Sequence, residues 1–169
     1  STIVNRLLAQ DPQMTYSVSV TTRPPRGAER DGSHYEFVDD HEFDRLVAED
    51  ALAEWAVVHD HRYGTRKSVI DEITASGRDV IMDLDVQGGM SIKKHYPKSV
   101  LVFVLPPSRE VMEARLRGRH TDSDDVIETR LRNSVEELTY ASRYDHRVTN
   151  DSLDGAVAEV AEILEEERN

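Results

Sequence analysis

Three arginines, Arg23, Arg26 and Arg30, stand within eight residues of a chain whose formal net charge is −12. They lie in SVSVTTRPPRGAERDGSHYEFV, residues 17–38. Guanidinium forks stay charged and match two oxygens at once, so such a cluster suits capture of a phosphate or carboxylate. Pro24 and Pro25 fix φ locally and stiffen the loop. A solvated loop whose arginines pair with surface acids is the plainer reading of the same residues. Asp83 and Asp85 close the run DVIMDLD, and a spacing of two puts both carboxylates on one side of a strand. There one could orient a hydrated Mg²⁺ while the other accepts from a substrate N–H. Asp85 could equally serve only as the cap of a following helix. Glu54, beside Trp55 in an apolar stretch, could accept two parallel hydrogen bonds from a purine edge of the guanine type. Simple outward alternation on a half-exposed strand is its ordinary alternative. Tyr35 and Tyr63 carry phenols near the arginine loop, although tyrosines are more often core residues with a wet tip. Arg115 and Arg119 stand four residues apart with Arg117 between them, running into the polar segment GRHTDSDD that begins at Gly118, and Arg130 follows. Arginines on a hinged flap suit the charge spread over a transferring phosphoryl group. Surface pairing with Glu128 or Asp125 would be worth only tenths of a kcal/mol.

The elements that must position these groups follow from periodicity. Ser1 to Gln10 reads as a helix, ended by Asp11-Pro12. Residues 16–20 alternate as a strand feeding the arginine loop, and His34 to Val38 reads as a second strand after a turn at Asp31-Gly32. Asp39 to Ala51 has an acidic start and helical spacing of Phe43, Leu46 and Val47. Ala53 to Val58 and the residues around Tyr63 form a hairpin crossing at Asp60-His61. A helix from Thr65 to Ala75 is then stopped by Gly77. Beyond it, strands at 79–84, 99–105 and 147–149 alternate with helices at 86–95, 108–117, 126–144 and 153–167, with a charged break at 118–125. Such alternation implies an α/β fold with a three-layer parallel-sheet core.

With 169 residues the chain can bury one sizeable core. It has no Cys, which excludes disulfides and thiolate chemistry and suits a reducing compartment, and the expected location is cytoplasmic. No apolar run reaches membrane-spanning length. Thirty-three acids against 21 bases argue against bulk binding to duplex nucleic acid, but not against a small polyanion held by a local arginine cluster.

Read together, the segments resemble the guanylate kinase family. SVSVTTRPPRGAERDGSHYEFV is similar to its SVS-x-TTR-x-PR-x-GE-x-G-x-x-Y-x-F signature, and EWA, YGT, IMDLDVQG, PPS, RLRGR and VTND follow in family order. The resemblance covers nearly the whole chain. It implies a P-loop kinase core (1–16, 70–108 and 126–169), an inserted α+β GMP-binding subdomain (17–69) and a helical lid (109–125). It further implies transfer of the ATP γ-phosphoryl group to GMP with Mg²⁺, GMP and ATP being the partners. Carried over by residue, Arg23, Arg26, Tyr35 and Tyr63 would hold the GMP phosphate, and Ser19, Glu54, Thr65 and Asp85 would read guanine. Asp83 would orient GMP and the hydrated Mg²⁺, and Arg119 and Arg130 would reach the ATP phosphates. Asn150 would lie near adenine, and Arg26, Asp83, Arg119 and Arg130 would form the catalytic set.

The family's strand and G-x-x-x-x-G-K-[ST] loop precede the first helix, whereas this sequence opens at Ser1-Thr2, which match the end of that loop. Ser1 and Thr2 would then face the ATP phosphates, Ser1 also meeting Mg²⁺. A module of the same fold that binds phosphorylated peptides is the competing reading, and the sequence's opening at Ser1 is the one point in its favour. A kinase of another small phosphate ester is a weaker third. The 169 residues alone are expected to bind ATP weakly, because the backbone cradle of that loop supplies much of the phosphate grip. Coupled turnover by this chain at ordinary enzyme rates would refute that expectation.

Overall fold

The computed structural model describes residues 2–58, 60–118 and 123–169. They fall into two compact units, Ser1–Pro97 and Lys98–Asn169. In chain order the first holds α1 (Thr2–Gln10), β1 (Met14–Tyr16), β2 (Val20–Thr21), β3 (Glu36–Phe37), α2 (Asp40–Ala48), β4 (Leu52–Val58), β5 (His61–Arg66), α3 (Lys67–Ala75), β6 (Asp79–Ile81) and α4 (Val86–His95). The second holds β7 (Val102–Leu105), α5 (Arg109–Gly118), α6 (Asp124–Leu138), a 3₁₀ turn (Ala141–Arg143), β8 (His146–Thr149) and α7 (Leu153–Arg168).

In the first unit β1 and β6 run parallel, pairing Met14 with Asp79 and Tyr16 with Ile81. A separate four-stranded sheet has the order β3-β2-β5-β4. The alternating run expected at 16–20 is therefore split. Tyr16 ends one ladder and Val20 begins another, and Ser17, Val18 and Ser19 bridge the two sheets. The second strand expected at 34–38 shrinks to Glu36–Phe37, parallel to β2. Gly32, at φ 74°, turns the chain before it and donates to the Tyr35 carbonyl at 2.8 Å. The expected hairpin is present, with Val58 opposite His61 and Asp60 in the left-handed region. Thr65 is not the first helical residue but a strand residue opposite Glu54, and the helix starts at Lys67.

Among the described residues two clusters consolidate this unit. Val20, Phe43, Leu46 and Leu52 pack together under the four-stranded sheet, with Val38, Val47 and Ala51 around them. Ala53, Ile70 and Ile92 form the other, flanked by Val80, Met82, Leu84 and Tyr96. α2 enters through Asp39, whose carboxylate accepts from the Glu42 N–H at 2.7 Å. It ends earlier than its periodicity suggests, because Asp50 takes a positive φ of 53°.

In the second unit β7 and β8 are parallel, in register from Val102–His146 to Leu105–Thr149. Val148, Ala156, Val157, Val160 and Ile163 are buried, as are Leu101 and Phe103, and the Phe103 ring meets Tyr144 edge-on at 4.9 Å. The helix expected to run to Tyr144 stops at Leu138. The Thr139 and Tyr140 amides tighten onto the carbonyls three residues back, at 3.0 and 2.9 Å.

Gly64 is set by close approach. A Cβ there would lie 3.1 Å from the Glu54 carbonyl, the Leu52 side chain and Trp55 Cβ. Gly64→Ala should therefore lower the urea unfolding free energy by about 1–3 kcal/mol, the cost of overpacking. An unchanged midpoint would contradict this packing.

Candidate functional site

The loop after β2 folds around Arg23, which is only 5% exposed. The Thr21 hydroxyl accepts its backbone N–H at 3.1 Å, fixing the entry to the loop. Its guanidinium donates from Nε to the Tyr63 hydroxyl at 3.2 Å and from Nη1 to the Pro24 carbonyl at 2.9 Å. It also grips Glu29 with both terminal nitrogens, at 3.0 and 2.9 Å. The Tyr35 ring lies 5.3 Å from the guanidinium carbon and 6.0 Å from the Tyr63 ring. Glu29 accepts in addition from the Arg26 backbone N–H at 2.8 Å. The Arg23 guanidinium, and then the Arg26 amide, hold the Glu29 carboxyl below the usual carboxylate range. The Arg26 side chain is exposed. The structure thus brings Arg23, Tyr35 and Tyr63 into one cluster, with Arg26 at its rim.

A second cluster begins two residues further along β5. The register between β4 and β5 slips by one between Leu52 and Glu54, so that Ala53 is an extra residue in the edge strand. The slip sets Glu54 opposite Thr65, and the buried Thr65 hydroxyl donates to Glu54 Oε1 at 2.7 Å. Asp85 caps α4, accepting from the Gly88 N–H at 2.8 Å, so the ordinary reading of that residue is realised in full. It does more than cap. A Cβ at Gly88 would stand 3.3 Å from Asp85 Oδ1 and 3.4 Å from Glu54 Oε2, so both carboxylates converge on the bare first turn of α4. The Ser91 hydroxyl on the same helix donates to the Ala53 carbonyl at 2.7 Å and fastens the bulge. Burial pushes the Glu54 carboxyl above the usual carboxylate range. The Thr65 bond pulls it partly back, and the Asp85 charge adds a smaller upward push.

Asp83 lies exposed beyond the end of β6, and its charge is felt at Tyr16, whose phenol is raised first by burial and then by that carboxylate. Ser19 is half-buried and its carbonyl accepts the Glu36 N–H at 2.9 Å. Thr2 opens α1. Ser1 and Arg119 lie outside the described residues. In the second unit, Arg130 is exposed on α6. The Asn150 backbone bonds to the Leu105 carbonyl at 2.7 Å. Arg115 lies on α5. Its guanidinium donates to the Asn150 and Asp151 carbonyls at 2.9 and 3.1 Å. Arg117 pairs with Glu113 and Asp124 rather than with Glu128 or Asp125. Reasoning from sequence missed Glu29, Gly88 and Ser91. An acid six residues after Arg23, inside the same motif, was the available signal for Glu29. Nothing local marks Ser91.

The α/β frame thus sets an arginine–tyrosine cluster two residues along one strand from a half-buried carboxylate. Comparison with known proteins is specific. The sequence profile of the guanylate kinase family matches residues 1–167. A guanylate kinase of Anaeromyxobacter dehalogenans is 46% identical over 170 residues, covering 99% of this chain and 75% of its own length. One from Polaromonas sp. is 43% identical over 168 residues, covering 99% and 82%. The crystal structure of guanylate kinase from Anaplasma phagocytophilum superposes with a TM-score of 0.76 at 29% identity, over 98% of this chain and 80% of that one. This chain belongs to the guanylate kinase family.

The Glu54 environment is open to direct titration. Followed by carboxyl NMR, Glu54 should titrate above the usual carboxylate range, because burial disfavours its charge. Asp85→Ser keeps a capping oxygen but removes the negative charge, so the midpoint should fall. Thr65→Val removes the bond to the carboxylate, so it should rise. Shifts of opposite sign would refute the arrangement.

Proposed function

We propose that this chain phosphorylates GMP, moving the γ-phosphoryl group of ATP onto the GMP phosphate to give GDP and ADP. The observation that carries the reading is the pairing on β5 of two clusters. One is an arginine–tyrosine pocket for a phosphate, and the other is a carboxylate held by Thr65 and suited to a guanine edge. Arg23, Arg26, Tyr35 and Tyr63 take the GMP phosphate. Glu54 accepts from guanine N1–H and the 2-amino group, with Ser19, Thr65 and Asp85 completing the contacts around the base. Adenine presents no N1 proton, so it leaves the half-buried Glu54 carboxylate with Thr65 as its donor and no bond from the base, and that omission is costly.

A GMP phosphate oxygen attacks the γ-phosphorus, a new P–O bond forms, and the bond to the β–γ bridging oxygen breaks with its electron pair leaving on ADP. The nucleophile is already anionic, so no strong base is required, and positioning with charge stabilisation supplies the rate. Arg119 and Arg130 take the ATP phosphates, Asn150 lies near adenine, and Ser1 and Thr2 lie at the phosphate end. Among the described residues no group of three His, Cys or acidic side chains could hold a metal by itself. Mg²⁺ keeps its waters and binds mainly through nucleotide phosphates. The exposed Asp83 carboxylate fits as its contact through water, with Ser1 as the other candidate. The ion, when bound, neutralises phosphate charge. In this reading residues 17–69 are the GMP-binding subdomain, 109–125 the lid, and 1–16, 70–108 and 126–169 the kinase core, working in the cytoplasm. No helix of the described residues is long and apolar enough to cross a membrane.

Calorimetry with GMP and AMP tests the reading, with coupled turnover followed in the chain preceded by the family's strand and glycine-rich loop. GMP should bind at least about ten-fold tighter than AMP, and Glu54→Gln should weaken GMP about ten- to hundred-fold while leaving AMP nearly unchanged. Equal affinity for the two nucleotides would sink it.

A further inference from the structure

The proposed phosphate pocket contains an acid, which is unexpected in a site built for an anion. Glu29 sits against both arginines of the pocket, its side chain 24% exposed and that of Arg23 6% exposed. A guanidinium carries five N–H groups. Four hydrogen bonds run from that of Arg23, one to Tyr63, one to Pro24 and two to Glu29. One N–H, on Nη2, has no acceptor among the described residues. Glu29 also closes its own turn, since its backbone N–H donates to the Arg26 carbonyl at 3.0 Å while its carboxylate accepts the Arg26 N–H at 2.8 Å. That double closure fixes the backbone of Arg26, whose exposed side chain has no hydrogen bond among the described residues.

We infer that Glu29 is a positioning residue of the GMP phosphate pocket. It clamps the guanidinium of Arg23 edge-on and the backbone of Arg26 together, so that Arg23 offers the phosphate its remaining Nη2 N–H and Arg26 offers its whole fork. The inference rests on the GMP reading above. A bidentate carboxylate takes two charge-assisted bonds and leaves the guanidinium plane no freedom to turn. Without it the Arg23 guanidinium keeps hydrogen bonds only to Tyr63 and Pro24, beside the Tyr35 ring, and Arg26 loses the acceptor that holds its amide. The pocket would gain positive charge but lose alignment. Because a phosphate is recognised by where the forks point, alignment outweighs the added charge. Glu29 itself touches no substrate. Its effect runs entirely through the phosphate group, and the guanine end of the site, built from β4, β5 and α4, is independent of it.

Calorimetry of GMP against guanosine, which shares the base and lacks the phosphate, separates these ends. In the unaltered chain GMP should bind more tightly than guanosine. If it does not, the GMP reading fails and this inference falls with it. Glu29→Gln keeps the size and removes the charge. It should weaken GMP about ten-fold, the scale of losing charge-assisted bonds, while changing guanosine by less than about two-fold. Guanosine binding also reports that the variant is folded. In an Arg23→Gln background, Glu29→Gln should change GMP affinity by clearly less than the ten-fold seen in the parent, because the larger of its two partners is already gone and only the Arg26 amide remains. Glu29→Asp, with the charge on a shorter arm, should fall between the parent and Glu29→Gln and serves if the glutamine variant unfolds. Unchanged or tighter GMP binding by Glu29→Gln would overturn the inference, as would equal weakening of GMP and guanosine.

Discussion

A single extra residue in an edge strand governs the geometry of the first unit. Ala53 pushes the β4–β5 pairing out of register by one, and every residue after it is displaced relative to its partner. Glu54 consequently meets Thr65 instead of turning away from the sheet, and a charged group is retained in a half-buried position by one short hydrogen bond. Gly64, opposite Trp55 just past the bulge, stands where a Cβ would crowd the Glu54 carbonyl, the Leu52 side chain and Trp55 Cβ. The arginine pocket depends on this strand too. Tyr63, two residues before Thr65, receives the Nε bond of Arg23.

Much of the fold was legible because its signals are periodic. The helices at 2–10, 67–75, 86–95, 109–118 and 153–168 lie within a few residues of where apolar spacing and caps put them. The failures are equally physical. Ser17 to Ser19 alternate like a strand, yet they carry the chain between two sheets, and periodicity within one segment cannot say which partner it meets. Tyr144 was drawn into the helix before it, although its ring is needed against Phe103 and the chain must turn at Thr139 to bring it there. Thr65 looked like a helix start because a threonine before a helical run usually is one. Tertiary pairing with Glu54 claimed its hydroxyl instead.

The candidate site was legible mainly through residue type and motif. Arg23, Tyr35 and Tyr63 are one cluster, and Glu54, Thr65 and Asp85 another, although 31 positions separate Glu54 from Asp85 in the chain. What could not be read was the supporting set. Glu29 was visible in the motif but had no assigned partner. Gly88 matters by what it lacks, and Ser91 is an ordinary helical serine until the Ala53 carbonyl is found beside it. A hydrogen-bond acceptor freed by a bulge is invisible before the bulge is known.

The Ser91–Ala53 bond ties the kinked strand to a helix whose opposite end carries Lys93, Lys94 and His95. Strand, helix and the two acids at the helix mouth are therefore positioned together. On the proposed GMP reading, base preference would be a collective property of these two elements. Exchanging one acid would blunt the preference, whereas redirecting it to another base would require the strand kink and the helix to be rebuilt together.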